Sequence, residues 1–290
     1  MGEQLIILKY LNFTMLTPNY LKKTLKPRKP DAHKGQNGRV LVVAGSRRYF
    51  GSPALVALAA LRTGADLVYL LVPEYISKTI ASYSPDLIVW GYEGERLSED
   101  AFSLFYELEA KTDAMIIGNG VTKQPAALEA AKELIEKWGK PIVIDADCIQ
   151  PNLRFTRKTL ITPHLVEFQR LTGKKPPENE KERAELVRKE AKTLGSTILL
   201  KGRPDIISDG EKIATNNIHN PGMTSGGSGD TLAGIAGALL SQNYSPFEAG
   251  CMAALINGMA GNLAFKKYGY SLIASDIIVE IPNVLKKYQK

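Results

Sequence analysis

The feature that most constrains this chain is a short apolar run that recurs and ends each time on glycine, a charge or a polar turn. Arg39–Ala44 runs into Gly45-Ser46, and Asp66–Val72 and Leu87–Trp90 follow. Ala114–Ile117 ends in Gly118-Asn119-Gly120, and Pro141–Ile144 in Asp145-Ala146-Asp147. Thr159–Thr162 ends in Pro163-His164, and Thr197–Leu200 in Lys201-Gly202. Continuous apolar character, without alternation, marks strands covered on both faces. Helical patterns lie between the runs. Pro53–Thr63 has proline in its first turn and Gly64 behind it, Gln124–Trp138 is stopped by Gly139, and His164–Leu171 and Lys181–Leu194 follow. Residues 174–182 read as an exposed loop around Pro176-Pro177, and Asp205–Ala214 as a hairpin turning at Asp209-Gly210. Two more helices are predicted over Pro246–Tyr268 and Ser275–Lys287. Strand and helix in alternation predict an α/β fold with a central, mostly parallel sheet flanked by helices. Ligands in such sheets bind beyond the carboxyl ends of the strands, where the glycines, acids and cations collect.

The densest of these stretches is Asn220-Pro221-Gly222-Met223-Thr224-Ser225-Gly226-Gly227-Ser228-Gly229-Asp230-Thr231, followed by the small-residue helical run Leu232–Leu240. A glycine-rich turn feeding a helix presents free N–H groups at the positive end of the helix dipole, which is an anion site and most often a phosphate site. Gly226, Gly227, Ser228 and Gly229 are the candidate cradle. Asp230 does not fit an anion cradle by charge. It either holds a cation, takes a proton from the group attacking the phosphate, or simply caps the helix, a common role for aspartate.

Other strand ends offer further chemistry, each beside a plainer reading. Gly118-Asn119-Gly120 can bring bare backbone against a flat ligand or can be an ordinary strand–helix turn. Asp145 and Asp147, two apart, can face the same way and hold Mg²⁺ through water, or one caps a helix while the other meets a lysine. His164, ahead of Glu167, stands at a strand end where ligand contact outweighs a purely structural role. Lys201, Gly202, Arg203, Pro204 and Asp205 put two cations and a glycine at one strand end, suited to nucleotide phosphates. No Walker A lysine pattern, HExxH set or GxSxG elbow occurs.

Composition excludes several classes. The chain has 290 residues, 44% hydrophobic and 23% charged, enough for one large domain or two small ones with a substantial core. Its net charge of +7 lies partly in Lys22–Lys29 and Lys286–Lys290, and the basic and aromatic residues do not interleave as in nucleic-acid modules. Cys148 and Cys251 form no CxxC pair, so a reduced, cytoplasmic protein is expected. Leu5–Leu16 is apolar but broken by Lys9 and Asn12, too short to span a membrane and unlike a signal peptide.

Together the motifs resemble the ADP/ATP-dependent NAD(P)H-hydrate dehydratases. The resemblance rests on His33-Lys34-Gly35-Gln36-Asn37-Gly38-Arg39, Val42–Ser46, Tyr49-Phe50-Gly51-Ser52-Pro53, Ala60–Asp66 and Ser84–Val89. It continues through Ile117–Gly120, Val143–Asp147, Thr162-Pro163-His164 with Glu167-Phe168, Lys201-Gly202 and Gly226–Asp230, in the family's order. It implies a ribokinase-like three-layer fold, residues 1–32 as a lead-in and 33–290 as the dehydratase domain, without the epimerase domain that many relatives carry in front. The implied activity is dehydration of (S)-NADHX and (S)-NADPHX to NADH and NADPH through a phosphorylated intermediate, with ADP or ATP and Mg²⁺, in a homotetramer. No protein metal ligand is implied. By the same resemblance Ser52, Gly120, His164 and Asp230 contact the hydrate, and Asp230 is the base. Lys201, Gly202, Arg203, Pro204, Asp205 and Gly229 hold the nucleotide. Asn119 stands where proline is common and Ser52 where alanine is common, which bears on substrate fit. A small-molecule kinase of the same fold, acting on a sugar or on hydroxyethylthiazole, is the competing enzyme reading, and a nucleic-acid binder the competing non-enzyme reading.

Overall fold

The computed structural model describes residues 12–289. The expectation for Leu5–Leu16 therefore falls partly outside the described residues, as does the terminal Lys290. Ten strands form one sheet: β1 (Asn12–Met15), β2 (Arg39–Val43), β3 (Leu67–Pro73), β4 (Ile88–Tyr92), β5 (Ala114–Ile117), β6 (Ile142–Ile144), β7 (Thr159–Ile161), β8 (Thr197–Leu200), β9 (Asp205–Ser208) and β10 (Lys212–Asn216). Their order is β1-β10-β9-β8-β7-β6-β5-β2-β3-β4. All pairings are parallel except the two that β9 makes, with β8 and β10. The helices are α1 (Pro18–Thr24), α2 (Gly51–Thr63), α3 (Glu74–Ala81), α4 (Phe102–Glu109), α5 (Pro125–Lys137), α6 (Leu165–Thr172), α7 (Glu180–Leu194), α8 (Ser228–Ser241), α9 (Pro246–Tyr268) and α10 (Ala274–Leu285).

The continuous apolar runs behave as strands covered twice. In β2, Val40 and Val42 enter one core with α2, α8, α9 and α10, while Leu41 and Val43 enter another with α4 and α5. Successive side chains point to opposite faces, so one run feeds two layers and a three-layer sandwich results. A third cluster, Phe168 with Ala184, Val187 and Ala191, seats α7 against β8 and β9. Truncating a wholly buried strand residue such as Leu41 to alanine is expected to cost about 2–5 kcal/mol.

Three segments differ from the sequence-based expectation. Helices α3 and α4 are absent from it, because each is only eight residues long, about two turns, too short for a clear helical period. The described part of the lead-in, from residue 12, also packs against the domain. Strand β1 pairs in parallel with β10, and α1 buries Leu21. A four-residue strand whose partner lies about two hundred residues away in sequence leaves no periodic trace to read.

Candidate active site

The sheet order brings β8, β7, β6, β5 and β2 side by side, so their carboxyl ends gather residues remote in sequence. Backbone hydrogen bonds carry the ladder past the strand ends. Asp145 N–H donates to Ile117 O at 3.0 Å, Thr162 N–H to Ile144 O at 3.1 Å and Lys201 N–H to Pro163 O at 2.8 Å. Asn119, Asp145, Thr162 and Lys201 are thereby fixed on one rigid rim.

Their side chains form one network. Lys201 Nζ lies 2.9 Å from Asp145 Oδ1 and 3.8 Å from Glu167 Oε2. The Thr162 hydroxyl donates to Asp145 Oδ1 at 2.7 Å. Asn119 Nδ2 donates to Asp145 Oδ2 at 2.8 Å and to Asp230 Oδ1 at 2.7 Å. Burial works against the Lys201 charge, but Asp145, Glu167 and Asp230 outweigh it and hold the ammonium above its ordinary range. Burial pushes the Glu167 carboxyl up, against the pull of Lys201. It also pushes Asp230 up to about 6; the Asn119 hydrogen bond, Ser52 and Lys201 oppose the rise, and Asp145 adds to it. A carboxylate with that value is ionised at neutral pH and still able to accept a proton, the condition for a general base.

Asp230 is not the helix cap. Helix α8 begins two residues earlier, at Ser228, and its cap is Gly227, with φ +91° and no side-chain cap bond. A side chain at Gly227 would be strained by that φ and would meet Leu55 and Ala274 within 3 Å. The carboxylate of Asp230 instead stands in the first turn, turned towards Asn119. The N–H groups of Gly229 and Asp230 have no acceptor among the described residues, so the positive end of a largely buried helix faces the rim. A Cβ placed on Gly229 would lie 3.5 Å from Lys201 Nζ. Free N–H groups and an ammonium therefore converge at the start of α8.

Beside them opens a cavity of about 330 Å³, whose lining includes Lys201, Gly202, Arg203, Asp205, Ser228 and Gly229. Asp205 is a prop for this loop: its carboxylate accepts from Gly202 N–H at 3.0 Å and Asn216 Nδ2 at 3.0 Å. Burial raises it to about 6. Arg203 Nε donates to His219 Nε2 at 3.1 Å, and Pro204, buried, follows through a cis peptide bond. Burial and the Arg203 charge lower the His219 value. Gly226 is exposed, and the Ser228 hydroxyl donates to Met223 O at 2.8 Å. Of the far wall, Ile218, Ala254 and Asn257 have no part in the motifs read from sequence, while Met223 belongs to the glycine-rich stretch. Its visible signal is the Asn257-Gly258 pair, which interrupts the apolar stretch of α9.

The remaining candidates, Ser52, Gly120 and His164, are not among the residues that line this cavity. Ser52, in the first turn of α2, is near enough to the Asp230 carboxylate to help hold its value down. Gly120 has φ +73°, and a side chain there would strike Tyr49 within 3 Å. His164 caps α6: its Nδ1 accepts from Val166 and Glu167 N–H at 3.1 and 3.2 Å, and Nε2 lies 3.2 Å from Glu167 Oε1. The ring is half exposed beside the rim, so capping leaves a face for ligand.

Asp145 and Asp147 do not act as a pair. Asp145 is enclosed by Lys201, Thr162 and Asn119, while Asp147 faces Lys123 at 4.0 Å. Both Asp145 oxygens already accept hydrogen bonds, and no group of three or more acids, histidines or cysteines suited to a metal occurs among the described residues. The rim residues do not fit a protein cage for Mg²⁺. The His33–Arg39 motif lies at the opposite end of the sheet, where Gly35 N–H and Asn37 N–H donate to Asp66 Oδ2.

A family described as NAD(P)H-hydrate dehydratase matches residues 40–283. The chain belongs to this family. It is 40% identical to an ADP-dependent (S)-NAD(P)H-hydrate dehydratase of Nitrosopumilus maritimus, covering 95% of this chain and 98% of the relative. It also matches bifunctional NAD(P)H-hydrate repair enzymes, of whose length it spans about half, 54% and 51% in two of them. Among solved dehydratase structures, that of the Bacillus subtilis ADP/ATP-dependent NAD(P)H-hydrate dehydratase, co-crystallised with ATP/Mg²⁺, superposes with a TM-score of 0.83. It is 26% identical and covers 96% of this chain and 99% of that one. A hydroxyethylthiazole kinase of Pyrococcus horikoshii shares the fold, with a TM-score of 0.63 at 18% identity over 94% of this chain and 93% of that one. The dehydratase fold seen here is thus the ribokinase-like three-layer α/β architecture. No described helix is long and apolar enough to cross a membrane.

Proposed function

We propose that this chain uses ADP or ATP to dehydrate (S)-NADHX and (S)-NADPHX, restoring NADH and NADPH. The observation that carries the reading is the position of Asp230. Its carboxylate, tuned to about 6, stands in the first turn of α8 beside two unengaged N–H groups and Lys201. The terminal phosphate of the nucleotide lies against the Gly226–Gly229 turn, near Lys201. Asp230 accepts the proton of the hydroxyl on the hydrated ring. The oxygen forms a bond to phosphorus as the phosphorus–oxygen bond to AMP or ADP breaks. The phosphate then leaves carbon with both electrons of the C–O bond. Loss of a proton from the neighbouring carbon restores the ring double bond. The N–H groups and Lys201 hold the charge that collects on the phosphoryl oxygens. Lys201, Gly202, Arg203, Pro204 and Gly229 bind the nucleotide, with Asp205 supporting the loop, and Ser52, Gly120 and His164 meet the hydrate.

Mg²⁺ supplies charge neutralisation on the nucleotide phosphates. We assign the enzyme to the cytoplasm as a homotetramer without nucleic-acid or membrane partners.

The test is conversion of (S)-NADHX with ADP, with ATP and with neither, following NADH absorbance and free phosphate. The expected result is NADH and phosphate in equal amounts, only with nucleotide. A stable phosphorylated product would assign the chain to the small-molecule kinases instead.

A further inference from the structure

We infer that Asn119 is a positioning residue for Asp230: its amide holds Asp145 and Asp230 apart and aims the second as a base. This deepens the proposed function and rests on Asp230 being the base.

Asn119 is wholly buried at the end of β5. An amide nitrogen has two N–H donors, and here each is engaged by a different carboxylate, Asp145 Oδ2 at 2.8 Å and Asp230 Oδ1 at 2.7 Å. Its own carbonyl oxygen is buried with no partner among the described residues. An orphaned buried acceptor destabilises the fold, so a residue chosen only to fill this turn would be apolar. What the amide provides is a fork between two acids that would otherwise repel.

The two acids are not equivalent. Asp145 also accepts from Thr162 and is paired with Lys201, so its negative charge is matched. Asp230 has Lys201 only at longer range, with Ser52 nearby, and faces the Asp145 charge. Glu167, 3.8 Å from Lys201, and half-exposed His164, beside Glu167, complete the charged and titratable groups of the network. Asn119 therefore supplies the direct side-chain donor that favours the ionised form of Asp230. Because it occupies Oδ1, Oδ2 is left towards the glycine turn, where a Cβ on Gly227 would lie 3.9 Å from it. The orientation of the base and its readiness to accept a proton have one source.

The experiment is the pH dependence of kcat for wild type, Asn119→Ala, Asn119→Ser and Asp230→Asn, with nucleotide KM measured in parallel. In wild type the acidic limb is expected to have its midpoint near 6, the value to which burial raises Asp230. In Asn119→Ala the midpoint moves up by about one pH unit. Turnover then falls about fivefold or more at pH 6 and recovers to within about threefold of wild type at pH 9. Asn119→Ser, keeping one donor, shifts less, and nucleotide KM changes little in either. A rate loss equal at every pH would overturn the inference, since that is the pattern of a structural role. Loss of folded protein in both Asn119 variants would overturn it too. Asp230→Asn separates the two levels. If it turns over normally, the base assignment fails. If it is inactive while the Asn119 profiles keep the wild-type midpoint, only the inference about Asn119 fails.

Discussion

The two ends of the sheet both gather acids, and they use them differently. At the amino ends of the strands, Asp113 takes Arg39 in a bidentate pair, with Arg39 N–H, Nε and a terminal nitrogen all donating at 2.8–3.0 Å. Asp66 collects Gly35 N–H, Asn37 N–H and the Asn37 side chain. At the carboxyl ends, one amide is divided between Asp145 and Asp230, and one lysine between Asp145 and Glu167. Size also misleads. The larger cavity, about 700 Å³, lies at the amino end. Two of its cations are engaged there by backbone carbonyls, Arg28 by Gly64 O and Lys26 by Asn243 O. Acids that are fully partnered hold loops in place. At the carboxyl end, burial raises Asp230 and Glu167 above the ordinary carboxyl range, where they can take part in proton transfer.

That contrast breaks most readily at Asp230. Asp230→Asn is expected to keep the fold and most nucleotide affinity while losing turnover by at least about 10²-fold in a steady-state NADHX assay. Lys201→Ala comes next, raising the KM for nucleotide about tenfold or more, and more than that for NADHX, because it removes the cation at the α8 N-terminus. Were only the NADHX value to move, Lys201 would belong to the other half of the site.

Asp113→Asn probes the opposite end. It should lower unfolding free energy by about 1–2 kcal/mol in a urea titration and leave kcat within about twofold. A large fall in kcat there would mean that the two ends are coupled. The smallest effect is expected for His164→Gln, a rise of a few-fold in the KM for NADHX with nucleotide KM unaltered. Stoichiometric zinc at this histidine would contradict its assignment to the hydrate.

Much of this contrast was legible in the sequence, for physical reasons. The doubly covered strands read as unbroken apolar runs, and the glycine turn read as an anion cradle at a helix start, where Gly227 has a φ of +91° that favours glycine. What was not legible depended on pairing across the sheet. Asn119 read as a departure bearing on substrate fit, yet its two partners lie 26 and 111 residues away. Asp145 and Asp147 suggested a pair by spacing, but the turn into residues 146–148 sends them to different neighbours. Asp205 read as a nucleotide contact because it follows two cations, although its oxygens are taken by Gly202 and Asn216. Spacing along a chain reports shared faces within an element, and hydrogen bonds between elements follow from the strand order.

The most direct measurement is the thermal stability of wild type and Asp230→Asn compared from pH 4 to pH 8. The folded-state value of Asp230 is raised to about 6 from an ordinary 3.8. Between those values the native protein keeps a proton that the unfolded chain has released, so this group lowers stability as pH rises. Removing the charge removes that penalty, while Asp205, common to both proteins, cancels in the difference. The account predicts that Asp230→Asn gains stability relative to wild type as pH rises from 4 to 6, by a few degrees, with the gain level above about pH 7. A difference independent of pH, or a variant that becomes less stable than wild type as pH rises, would contradict the claim that Asp230 is held ionised at the expense of the fold.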